Sequence, residues 1–81
     1  MTAEQNYLQD VLSMIIEAAK EAKLSATTGK DSRTVQQQAF EEGRALAYYE
    51  VVSTLLNQAE VFGLSPDILR VLNFNPDEEL L

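Results

Sequence analysis

The side chains that could do chemistry in this chain are thirteen Asp and Glu, six Lys and Arg, and scattered hydroxyls. Cysteine and histidine are both absent, which removes thiolate nucleophiles, imidazole bases, CxxC redox pairs and the common zinc ligand sets. A di-metal helical bundle needs Glu-x-x-His on facing helices, so it goes too. The carboxylates fall mostly on the polar faces of the helices described below, apart from Glu4 at a helix end and Glu50 at the margin of an apolar arc. No nucleophile or base is placed beside them, so neither a catalytic site nor a cofactor nor a metal is expected. Arg44 stands out instead, because a helical wheel sets it amid Phe40, Tyr48, Val51 and Leu55. A charge there must be paired or must reach solvent along its own aliphatic stem. The paired form would be a buried ion pair with Glu17 or with a carboxylate of a second copy.

Gly29-Lys30 has the form of the end of a phosphate-binding loop, but Leu24 stands where that motif has its first glycine, and Asp31 where it has Ser or Thr. Asp31-Ser32, preceded by Gly29, resembles the Asp-Ser-Leu motif of acyl and peptidyl carrier proteins, which are acidic, helical and of similar length. The resemblance implies a phosphopantetheine arm on Ser32 at the start of the second helix. It covers only a few residues, with Arg33 in place of an apolar one. The family's long loop before that serine has little room here, since apolar periodicity continues to about Ala22. As turn and capping residues, Asp31 and Ser32 need no such role. Glu79-Leu-Leu81 resembles an acidic di-leucine sorting signal, except that Pro76 occupies its acidic position.

The elements that carry these residues are helices. From Ala45 to Phe62 the apolar side chains fill an arc of roughly 200°, more than one neighbouring helix can cover. Two rows share it: Tyr48, Val52, Leu55, Ala59, Phe62 and Ala45, Tyr49, Val52, Leu56, Ala59, each stepping by four and three. The first helix has the same character. Thr2 with Gln5 makes a capping box, Leu8, Leu12, Ile15, Ala19 and Ala22 form one row, and Tyr7, Val11, Met14 and Ala18 another. Ser25 to Arg33 collects turn formers and reads as the link, with Thr34 and Gln37 capping the second helix. A turn centred near Gly29 sets Ala18 opposite Phe40, Ile15 opposite Gly43 and Val11 opposite Ala47. Gly63 ends the long helix and Ser65-Pro66-Asp67 starts a short one. The expected elements are a helix over about 3–25, a loop over 26–33, helices over 34–62 and 66–72, and a tail over 73–81 in which Asn75-Pro-Asp-Glu78 either begins one last turn or frays.

A net charge of −7 disfavours nucleic acid, which is held through clustered Lys and Arg, and suits a basic protein partner. No apolar run reaches the ~18 residues of a membrane span, and the first ten residues lack the features of a signal peptide. With no cysteine, the expected setting is the cytoplasm. Chains this small gain stability from disulfides, metals or association, and only association is open. The sequence therefore predicts an all-α antiparallel hairpin with a short C-terminal helix, doubled by homodimerisation into a four-helix bundle. The segment from Ile68 to Phe74 would close each end of it. Leu8, Leu12, Ile15, Tyr48, Tyr49, Val52, Leu55, Leu56 and Ala59 are its expected core and dimer interface. The expected function is non-enzymatic protein–protein interaction, as adaptor, inhibitor or regulator, with a Ser32-modified carrier protein as the alternative.

Overall fold

Two capping boxes fix where the long helices begin. Thr2 Oγ1 accepts from the Gln5 N–H at 3.1 Å while Gln5 Oε1 accepts from the Thr2 N–H at 2.8 Å. Thr34 and Gln37 repeat the arrangement at 3.1 and 3.0 Å. In the computed structural model, which describes residues 2–63 and 75–81, these caps start α1 (Ala3–Thr27) and α2 (Val35–Val61). Gly63 lies just past the end of α2 at φ +66°, a left-handed conformation that only glycine takes at little cost. The fold of the described residues is all-helical, two long helices packed as a hairpin followed by one short turn, α3 (Pro76–Glu79). The predicted short helix over 66–72 lies outside the described residues.

The first helix outruns its predicted end. Ser25, Ala26 and Thr27 carry no large apolar group and read as loop, yet they complete the last turn of α1. Ala26 is buried there, and the Thr27 hydroxyl bonds back to the Lys23 and Leu24 carbonyls at 3.0 and 3.2 Å. The link shrinks to residues 28–34, in which Gly29 at φ +67° leads into a 3-10 turn, Lys30–Ser32. Side chains hold this link down. The Arg33 guanidinium donates to the Ser25 carbonyl and to Gln38 Oε1 at 3.1 Å, and Gln38 Nε2 donates to the Ala26 carbonyl at 2.7 Å. Carbonyls left open by the end of α1 are thus satisfied from the start of α2.

A later link shifts the register. Ala22 and Ala26 cluster with Ala45, and Ile16 and Ala19 with Val52, so the hairpin's midpoint falls near Thr34 and not at Gly29. The predicted pairings of Ala18 with Phe40, Ile15 with Gly43 and Val11 with Ala47 are replaced accordingly. Towards the link the seam is built of alanine methyls, which let two backbones approach closely. Further out the side chains grow, with Leu12, Ile16 and Val52 buried, and Leu80 from beyond α3 packs into the second cluster. Every buried described residue is apolar.

Ala22 has no exposed surface, so Ala22→Leu has nowhere to put three extra carbons. It is expected to destabilise the hairpin by about 1–3 kcal/mol, read as a lower urea midpoint, whereas Glu21→Leu on the exposed face should change it by less than about 0.5 kcal/mol.

Candidate interaction surface

Of the residues predicted as core or interface, Leu12, Val52 and Ala59 are buried, while Leu8, Ile15, Tyr48, Tyr49, Leu55 and Leu56 are half-buried. The half-buried ones divide between the two sides of the hairpin. Ile15, Tyr48, Tyr49 and Leu56 all pack against the cluster of Ile16, Ala19, Val52 and Leu80, and the C-terminal turn lies on the side of Tyr49, which bonds to Asp77. Asn75 caps this turn, its Oδ1 accepting from the Asp77 N–H at 3.0 Å, and Pro76 sits at the first helical position, where a missing N–H is harmless. The Tyr49 hydroxyl then donates to Asp77 Oδ1 at 2.5 Å, tying α3 to α2. The bond to Asp77 raises the Tyr49 pKa above its ordinary value, helped by desolvation and by the carboxylate's charge and opposed by Ser53.

The other side of the hairpin has no such cover among the described residues. Tyr7, Val11, Met14 and Ala18 on α1 lie about a quarter turn from that helix's buried stripe, and Phe40, Ala47, Val51 and Phe62 lie about a quarter turn from the stripe of α2, rotated in the same sense. Because the helices are antiparallel, equal rotations bring both rows to one side. Tyr7, Met14, Phe40, Val51 and Phe62 are between 48% and 76% exposed, a grouping that singly scattered surface residues do not produce. Half-buried Leu8, Ile15, Tyr48 and Leu55 form the floor between the rows. At its α1 end a hollow of about 440 Å³ is lined by Ala3, Glu4, Tyr7 and Leu8. Ile16, Tyr49 and Leu56 are rotated the opposite way, which is why α3 lies across from this face.

Arg44 sits beside the open face and is satisfied locally. Its Nη1 lies 3.4 Å from Glu41 Oε2, with its side chain 38% exposed, and its guanidinium lies 5.8 Å from the centre of the Tyr48 ring. Glu17 faces Lys20 at 3.9 Å instead, so of the two readings of Arg44 the pairing with Glu17 does not form. An exposed pair of this kind contributes a few tenths of a kcal/mol at most. Ser32 is exposed in the 3-10 turn, its hydroxyl donating to the Gly29 carbonyl at 3.1 Å. It precedes α2 by a short stretch rather than opening it. Glu4 and Glu50 are exposed, and no group of three potential metal ligands comes together among the described residues. No helix of the described residues is long and apolar enough to cross a membrane.

Sequence reasoning passed over Ile16, Ala26 and Leu80, all buried, and the capping roles of Arg33 and Gln38. Ile16 was within reach, since Leu12, Ile16, Ala19 and Ala26 keep a four-then-three spacing. No protein-family model matches the chain, and no curated protein and no solved structure is significantly similar to it.

The Tyr49 pKa sets a pH window. A neutral phenol is favoured by the docked state, so its contribution is complete below pH ~10, the ordinary tyrosine value, and is lost as the pH rises through the raised folded value. Urea unfolding on either side of that range should show the loss, and Tyr49→Phe should abolish this part of the pH dependence.

Proposed function

We propose that this is a non-enzymatic helical protein that works by binding other proteins, and that its first partner is itself. Two hairpins pack through the open apolar face into a homodimeric four-helix bundle. The observation that supports this reading is the asymmetry of the hairpin. One side is filled by Leu80 and tied by Tyr49 to Asp77, while the other exposes two parallel rows of large apolar side chains. A continuous apolar face of that kind is the mark of an interaction site rather than of ordinary surface. The acidic charge that remains outside the face suits a basic protein as a further partner, in the manner of an adaptor, an inhibitor or a regulator. A chain without cysteine fits the reducing cytoplasm as its setting.

Sedimentation velocity at micromolar concentration tests the self-association: a dimer is expected, and a monomer throughout would end the reading. Val51→Glu places an unpaired carboxylate in the proposed contact and is expected to raise the dissociation constant by about tenfold or more. Its far-UV circular dichroism should stay that of the wild type, because Val51 contributes little to the seam within one hairpin.

A further inference from the structure

The open face has an edge of one sign. Tyr7 and Met14 stand in its outer row on α1, and Asp10, Glu17 and Glu21 lie three, four or seven residues from one or both of them, so they run beside that row. All three are exposed, and Glu4 joins them at the hollow it lines with Tyr7 and Leu8. These four are all the carboxylates of α1. Its two lysines turn the other way, Lys20 and Lys23 following Ile16 by four and seven residues. Lys23 lines a hollow with Leu80 and Leu81, on the side of the C-terminal turn. Lys20 approaches Glu17 at 3.9 Å, with the Glu17 side chain still 73% exposed. Within the face Arg44 and Glu41 offset each other, and Glu50 lies further round α2. What a partner meets is therefore an apolar strip with carboxylates along its α1 edge.

Resting on the reading of this face as a protein-binding surface, we infer that it takes an amphipathic helix that carries Lys or Arg along one edge. Charge complementarity selects that occupant. A second copy brings its own carboxylates to the contact, whereas a basic helix sets cations against Asp10, Glu17 and Glu21 while its apolar side covers Tyr7, Met14 and Val51. The helix lies along the hairpin as a third rod. From Glu4 to Glu21 the acidic edge runs about 26 Å at ~1.5 Å per residue, the length of about 18 helical residues. The hollow beside Glu4 accommodates the aliphatic stem of a Lys or Arg whose charge meets that carboxylate. Because helix and second copy need the same side chains, the helix displaces the copy.

The probe is a labelled synthetic peptide of about 18 residues, leucine on one side of its helix and lysine on the other, with a leucine–glutamate counterpart as control. The lysine peptide is expected to bind one hairpin per peptide, with a dissociation constant that rises with salt, and to convert a wild-type dimer to that complex in sedimentation. The glutamate peptide is expected not to bind. Asp10→Asn combined with Glu17→Gln and Glu21→Gln is expected to weaken binding at least about tenfold. Glu42→Gln combined with Glu60→Gln and Glu78→Gln, on the flank of Tyr49 and Leu56 and on α3, is expected to leave it unchanged. Val51→Glu separates docking from bare charge attraction: it adds a negative charge, yet is expected to weaken binding of the lysine peptide about tenfold or more. No binding of the lysine peptide, equal loss from both triple variants, tighter binding to Val51→Glu, or a peptide held on an intact dimer would overturn the basic helix and leave the self-association standing. A wild-type protein that sediments alone as a monomer, yet binds the lysine peptide in the expected pattern, would end the self-association and keep the basic helix.

Discussion

The alanine seam between α1 and α2 is the constraint on which the remaining structure depends. Ala22, Ala26 and Ala45 bring the two helices together at the linked end, with Tyr48 packed against them, and the alanines contribute little buried area each. A hairpin zipped by alanines has a narrow interior, so the larger side chains at its flanks cannot all turn inward. They are left at the two grooves where the helices meet, one on each side. Leu80 fills one groove, its burial contributing about 1.5–3 kcal/mol, and no other described residue covers the second groove.

That division accounts for the over-wide apolar arcs. An arc of roughly 200° on each helix is the sum of a narrow stripe for the neighbouring helix and a flank on either side of it. On α2 the flank with Tyr49 and Leu56 meets the C-terminal turn, and the flank with Phe40, Ala47 and Val51 is exposed among the described residues. The two helices turn their open flanks the same way, and so make one broad face.

Much of this was legible in the residues. Thr2 with Gln5, Thr34 with Gln37, and Gly63 announce helix ends through hydrogen-bonding chemistry that is local in sequence, and local signals survive the absence of a structure. The end of α1 did not survive it, because Ser25, Ala26 and Thr27 have turn-forming composition, and what keeps them helical comes from Arg33 and Gln38 across the link. Register failed for the same reason, since the midpoint of a hairpin follows from where the first helix stops. Leu80 was hidden in a stretch that reads as a tail. Its neighbours Asn75 and Pro76 signalled a turn, but nothing local says against which groove a turn will lie. The open face itself was visible as surplus apolar girth, and only the burial pattern separates the flank that is covered from the flank that is not.

The C-terminal turn has a dynamic consequence. α3 is four residues long and, among the described residues, is held by one buried leucine and one phenolic hydrogen bond, whereas the seam runs along most of both long helices. Opening α3 therefore takes much less free energy than unzipping the hairpin, and it happens more often as a separate sub-global fluctuation. Each such excursion bares Ile16, Tyr49 and Leu56, so the protein spends a small fraction of its time as a double-sided rod with an adhesive strip on either edge.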